Sequence, residues 1–142
     1  MSRRPTARTA LTALLLTLGC SLAAVSAAGA VTTAATNTPV VKVADNYFAP
    51  ASGTRECPPA GTFPCIKIKR DSKVKFKWSP ENIETHDVAL KKGPNGAKKK
   101  DFESGPARVG YRFTARFEKP GTYDLLCTLH PDVMQIEVKV KR

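Results

Sequence analysis

Lys73, Lys75 and Lys77 alternate with Val74, Phe76 and Trp78, the clearest hydrophobic period in the chain. Successive side chains of an extended strand point to opposite faces. The stretch therefore predicts a strand with one apolar face and one lysine face. Ile66 and Ile68 alternate in the same way with Lys67 and Lys69. Tyr111, Phe113, Ala115 and Phe117 alternate with Arg112, Thr114, Arg116 and Glu118, and Ile136, Val138 and Val140 end the chain on the same period. Structure is expected from Pro39, with Val41, Val43 and Tyr47-Phe48 in a first strand that ends at Pro50. His86, Val88 and Leu90 share one face of a further strand, and Tyr123, Leu125 and Cys127 share a face of another.

The breaks between these runs have their own chemistry. Arg70-Asp71-Ser72 and Ser79-Pro80-Glu81-Asn82 read as turn and loop. Residues 91–101 form a long polar excursion around Gly93, Pro94, Asn95, Gly96 and Lys98-Lys99-Lys100, with room for a helical turn. Pro120-Gly121 suits the centre of a type II turn, where Gly accepts a positive φ. Roughly seven or eight short strands with almost no amphipathic helix predict an all-β fold, a Greek-key antiparallel β-sandwich. Residues 39–142 make one such domain, without internal repeats.

Composition adds an N-terminal segment to this picture. Arg3, Arg4 and Arg8 precede the apolar run from Leu11 to Leu18, and Ala28-Gly29-Ala30 resembles a small-residue cleavage site. Residues 1–30 therefore read as a signal peptide, and 31–38 as a flexible linker. A retained anchor or lipidation at Cys20, after Leu18-Gly19, are the alternatives, and the latter would tether the protein to a membrane. The 142-residue chain has a formal charge of +11, and without the three leader arginines 20 Lys and Arg face 12 Asp and Glu, a formal +8. A basic exported protein is expected to meet acidic partners: an acidic redox protein, an anionic wall or a membrane, with nucleic acid disfavoured by export.

Cysteine usage sharpens the chemistry. Cys57 and Cys65 bracket a Pro/Gly-rich loop and in an oxidising compartment read as a disulfide. Loop-closure entropy makes such a bond worth about 2.5 kcal/mol. Cys127 is left over, and an unpaired cysteine in an exported protein calls for a role. It lies in Cys127-Thr128-Leu129-His130-Pro131-Asp132-Val133-Met134, which gathers a thiol, an imidazole and a thioether within eight residues between two strands. The only other histidine is His86, in Thr85-His86-Asp87-Val88. Two His and one Cys with a weak Met is the ligand set of a blue-copper electron-transfer site. The same donors also bind zinc, but the loop offers no base or substrate pocket for zinc hydrolysis.

Over residues 39–142 the chain resembles the cupredoxins, the blue-copper family that includes plastocyanin, amicyanin and pseudoazurin. Pro120-Gly121-Thr122-Tyr123 followed by Cys127, His130 and Met134 carries the resemblance, with the His86 strand. It implies His86, Cys127 and His130 as equatorial copper ligands and Met134 as the axial one. Three residues separate His130 from Met134, where amicyanin-like loops have two and plastocyanin-like loops four. A four-residue spacing would select Gln135, also a known axial ligand type. Asp87 stands where the family often has an Asn that ties the two ligand segments together, and an ionised Asp accepts hydrogen bonds but does not donate them.

The expected function is an exported, monomeric type 1 copper protein that shuttles single electrons between redox partner proteins, and the resemblance implies His130 as the exit, beside Leu129, Pro131 and Val133. The alternative is a copper carrier or buffer that uses the same site. Both histidines are consumed by one site, so a second, catalytic copper is not expected, nor is a small-molecule substrate or an enzymatic activity.

Overall fold

The structure, a computed structural model, describes residues 38–51, 57 and 62–142. The signal-peptide reading of 1–30, Cys20, nearly all of the linker and most of the 51–64 loop lie outside the described residues.

Asp45-Asn46 is a turn-forming dipeptide, and Asn46 takes a left-handed backbone with φ 65°, a conformation Asn tolerates better than most residues. The chain reverses there. The stretch expected to be one strand is a hairpin of β1 (Val40–Ala44) and β2 (Tyr47–Pro50), with Val43 opposite Phe48. The other strands are β3 (Cys65–Lys69), β4 (Ser72–Trp78), β5 (Ala89–Lys92), β6 (Arg112–Phe117), β7 (Gly121–Leu126) and β8 (Gln135–Lys141).

These eight strands form two four-stranded sheets, in the orders β2-β1-β4-β6 and β3-β8-β7-β5. The all-β sandwich is as expected, with one difference. β1 runs parallel to β4, and β3 parallel to β8, so both sheets are mixed. Alternation specifies which face of a strand is buried but carries no information about direction. Parallel partners need a crossover connection, and these pairs come from distant parts of the chain.

The inward faces meet in one core that includes Val41, Phe76, Phe117, Ile66, Leu125 and Val138. Each such side chain contributes about 1.5–3 kcal/mol by leaving water. The polar excursion has a 3-10 turn at Lys99–Phe102 and supplies an anchor that the alternation did not reveal. Phe102 is buried with its ring centroid 5.2 Å from those of Phe117 and Tyr123. At the start of β7, Gly121 has φ 136°, and a Cβ there would come within 3.0 Å of Pro94. Glycine is thus required at the turn where it was expected. Cys57 and Cys65 are bonded, with Cα atoms 5.2 Å apart.

Tyr123 closes the same turn. Its hydroxyl donates to the carbonyl of Lys119 (3.0 Å) and accepts from the Lys119 N–H (3.3 Å). Burial raises its phenol above the ordinary value of 10.0, with the nearby Glu118 charge acting in the same direction. A pKa raised by folding contributes stability that is fully present below the unfolded value and lost as pH rises through the folded one. Tyr123→Phe should therefore cost about 1 kcal/mol at neutral pH and show a smaller further loss than the parent above about pH 10. Urea midpoints at the two pH values test this, and an equal alkaline loss in both proteins would assign that loss to other groups.

Candidate metal centre

Cys127 follows β7 on its buried face, and the chain returns to β8 through a loop closed by its own backbone. Cys127 N–H donates to the Met134 carbonyl (3.0 Å), His130 N–H to the Cys127 carbonyl (3.2 Å) and Met134 N–H to the His130 carbonyl (3.0 Å). Three bonds within eight residues pinch the loop and hold the backbones of Cys127, His130 and Met134 close together. Cys127 and Met134 are fully buried, while His130 is 24% exposed.

His86 arrives from elsewhere. The expected strand begins only at Ala89, and His86 instead makes an isolated bridge with Ala107, with N–H···O bonds of 2.8 and 2.9 Å in both directions. The indole N–H of Trp78 also donates to the His86 carbonyl (3.0 Å). Packing on all sides leaves His86 at 0% exposure, with Val88 and Leu90 buried after it as the pattern implied.

The two imidazoles turn Nδ1 toward each other, 3.2 Å apart, and the Cys127 Sγ lies 4.0 Å from Nδ1 of His86 and 3.7 Å from that of His130. A first-row metal with bonds of about 2.0 Å to nitrogen and 2.3 Å to sulfur holds its donors roughly 3.4–3.8 Å apart. The three observed distances, 3.2, 3.7 and 4.0 Å, bracket that spacing, so small side-chain shifts would bring the three atoms onto one metal. Hydrogen bonding on the far side of each ring supports this. His86 Nε2 meets Asp45 Oδ1 at 2.9 Å, and His130 Nε2 meets Glu84 Oε2 at 3.1 Å. A carboxylate at Nε2 favours the tautomer with its proton there, leaving the Nδ1 lone pair free. Two such lone pairs at 3.2 Å repel unless a cation lies between them.

Asp45 and Glu84 were not found by sequence reasoning. The only signal was the Asp45-Asn46 turn dipeptide, which brings Asp45 to the site end of β1. Its carboxylate also accepts from the backbone N–H groups of Ile83 (2.9 Å) and Glu84 (3.2 Å). The His86 hydrogen bond, helped by these two, lowers the Asp45 pKa to about 2, so the carboxylate is ionised throughout the physiological range. The buried amide of Asn82 donates to the Val43 and Arg108 carbonyls (3.1 and 3.0 Å) and pins the same loop.

Asp87 does tie the two ligand segments, with the polarity an acid allows. Its carboxylate accepts from Thr128 N–H (2.6 Å) and from the Thr128 hydroxyl, while its own N–H points at Cys127 Sγ (3.4 Å). Burial pushes the Cys127 thiol up, and the Asp87 charge adds to this against the opposing N–H bonds. A metal bound there displaces the proton, since the thiolate is the ligand form. Gln135 faces away from this cluster. Its amide donates to the Pro131 carbonyl (2.6 Å) and accepts from Lys91 (3.2 Å).

Known proteins resemble this chain in sequence and in fold. The family model for copper binding proteins of the plastocyanin/azurin family covers residues 62–141. The chain belongs to that family. Amicyanin-alpha of Methylorubrum extorquens is 37% identical to this cupredoxin over 68 residues, 48% of this chain and 54% of that protein, so the match spans about half the relative's length. The amicyanin of Paracoccus versutus shares its fold with a TM-score of 0.54 at 24% identity, over 75% of this chain and 83% of the other. A proline-to-glycine amicyanin variant in its reduced Cu(I) form gives a TM-score of 0.54 at 21% identity, over 77% and 87%. Copper is the cofactor of this cupredoxin, and the His86, Cys127 and His130 cluster is where the donor chemistry fits it.

Proposed function

We propose that this protein is an exported type 1 copper protein that passes single electrons between larger redox proteins. His86 and His130, through Nδ1, and Cys127, through Sγ, would hold the copper, with the Met134 thioether as a fourth, weaker donor. The convergence of those three donor atoms, with each Nε2 held by a carboxylate, is the observation that carries the reading. Copper supplies one-electron chemistry by alternating between Cu(I) and Cu(II).

The chain's own contribution is rigidity and access. His86 is held by Ala107, Trp78 and Asp45, and the 127–134 loop by its backbone bonds, so the ligand positions change little between oxidation states. Burial of His86, Cys127 and Met134 keeps water from the donors. His130 alone among the four reaches the surface, beside Leu129 (52% exposed) and Val133 (55%). A small apolar rim around an exposed ligand suits brief docking and electron exit. Without residues 1–30 the 20 Lys and Arg outnumber the 12 Asp and Glu, a formal +8 that favours acidic redox partners by steering. The leader pattern in 1–30 and the Cys57–Cys65 pair support an oxidising, extracytoplasmic location. With both histidines at one site, the protein carries electrons and does not catalyse a reaction of its own.

Adding one equivalent of Cu(II) and recording optical and EPR spectra tests this. An intense blue absorption with narrow copper hyperfine splitting is expected. A pale, ordinary Cu(II) spectrum would overturn the electron-shuttle reading, and rapid Cu(I) exchange would identify a copper carrier.

The axial assignment has its own test. A thioether favours Cu(I) and raises the potential, so Met134→Gln should lower it. Gln135→Ala should leave it nearly unchanged, because that amide is engaged by Pro131 and Lys91. A shift from Gln135 with none from Met134 would reverse the assignment.

A further inference from the structure

The outward positions of β1, β4 and β6 carry Lys42, Lys73, Lys75, Lys77, Arg112 and Arg116, with Val40 and Thr114 between them and no acid. The strand register sets like charges directly opposite one another. Lys42 pairs with Lys77, Lys77 with Arg112, and Lys73 with Arg116. Such pairs destabilise a sheet. Acids reach only the rim: Glu81 lies 3.8 Å from Lys42, and Asp71 and Glu118 lie 3.6 and 3.5 Å from Arg116. Among the described residues Lys73, Lys75, Lys77 and Arg112 form no ion pair. Protection of a sheet edge does not explain the three β4 lysines, because β4 lies between β1 and β6, although β6 with Arg112 is itself an edge strand.

Two further features indicate what covers this face. Neighbouring cations lie about 6.7 Å apart along a strand and about 4.8 Å apart between strands. Both distances are shorter than the Debye length of about 8 Å at physiological salt, so their fields add. The centre of the face also lacks the aromatic or apolar cluster that forms the core of most protein interfaces. Of the large exposed apolar residues, Tyr47 lies at the β2 edge of this sheet, while Leu129 and Val133 are in the copper loop. A face with a cationic centre, and acids only at its rim, matches an anionic lipid surface better than an apolar-cored protein epitope.

We propose that this lysine and arginine face of the β2-β1-β4-β6 sheet docks the protein on an anionic lipid bilayer. The copper loop joins β7 and β8 and meets the end of β1 through Asp45 and His86, beside the outward cationic positions and not among them, so a protein lying on this face keeps His130 free for a redox partner. The inference does not depend on the ligand assignment and can be tested with or without copper.

The experiment is co-sedimentation of the full chain with vesicles of phosphatidylcholine, with and without phosphatidylglycerol, at low and high salt. Binding is expected only to the phosphatidylglycerol vesicles and should fall as salt rises. Each cation near an anionic bilayer is worth about fivefold in partitioning. The triple variant Lys73→Gln, Lys75→Gln, Lys77→Gln should therefore lose about 100-fold. The matched variant Lys67→Gln, Lys69→Gln, Lys141→Gln, on β3 and β8 of the other sheet and with the same net charge, should keep most of the binding. Residues 1–37 are common to both variants, so anything they add cancels. Circular dichroism confirms that both variants fold. Equal losses in the two would assign binding to net charge and overturn the proposal. So would a parent protein that ignores phosphatidylglycerol vesicles, including one that binds only an acidic protein.

Discussion

Cys127→Ser should abolish the intense blue absorption and weaken copper binding by more than about 100-fold, the upper range for losing a mere supporting partner. The sulfur is the soft donor of the set, and a serine hydroxyl neither ionises at neutral pH nor favours Cu(I). The geometry makes the loss specific. His86 and His130 would still present Nδ1 atoms 3.2 Å apart, held from behind by Asp45 and Glu84. Some Cu(II) should therefore bind, with the pale colour and wide hyperfine splitting of a nitrogen and oxygen site. Folding should survive, because serine is close to cysteine in size. The Asp87 N–H, 3.4 Å from Sγ, remains available to the new hydroxyl. Titration followed by absorption and EPR decides the matter, and a variant that stayed intensely blue would remove Cys127 from the proposed ligand set.

Asp87→Ala should destabilise the metal-free protein by about 2–4 kcal/mol, the sum expected for two hydrogen bonds to a charged, nearly buried acceptor. Thr128 N–H and the Thr128 hydroxyl would both lose their acceptor. The two ligand segments would then be joined chiefly by the metal itself. Copper should in consequence stabilise the variant more than the parent, because it restores part of a constraint that the parent already has. Asp87→Asn keeps an acceptor oxygen and should recover about half of the loss. Removing a negative charge beside the thiolate should also raise the reduction potential in both variants, since that charge favours Cu(II). Urea unfolding with and without copper, together with voltammetry, measures each part. A loss below about 0.5 kcal/mol would show that the tie is replaced by water and contributes little.

Much of this protein is local in origin, and what is local was legible in its sequence. Alternation at 66–69, 72–78, 112–117 and 135–141 depends only on side chains pointing to opposite faces of a strand, so these strands lie where the pattern places them. Gly121 is a local requirement of the turn, and its positive φ followed from Pro120-Gly121. Cys127, His130 and Met134 are close in space because they are close in sequence, and a short loop pinched by backbone hydrogen bonds holds their backbones together.

Tertiary structure decided the rest. Strand direction is not encoded in alternation, so the parallel pairs β1/β4 and β3/β8 depended on how the two sheets assembled. The apolar residues on either side of Asp45-Asn46 satisfy one continuous alternation, so the pattern alone predicts a single strand where the chain in fact reverses. That reversal brings Asp45 to His86 across 41 residues of chain. Glu84 reaches His130 only after the 79–85 loop is pinned by Asp45 and Asn82. Even the cationic face shows this division. The lysines of β4 were visible as a row in the sequence, but their confrontation with Lys42, Arg112 and Arg116 exists only in the strand register. Ligand types and buried faces are properties of short segments, whereas partners that orient a ligand or oppose a charge are properties of contacts between distant ones.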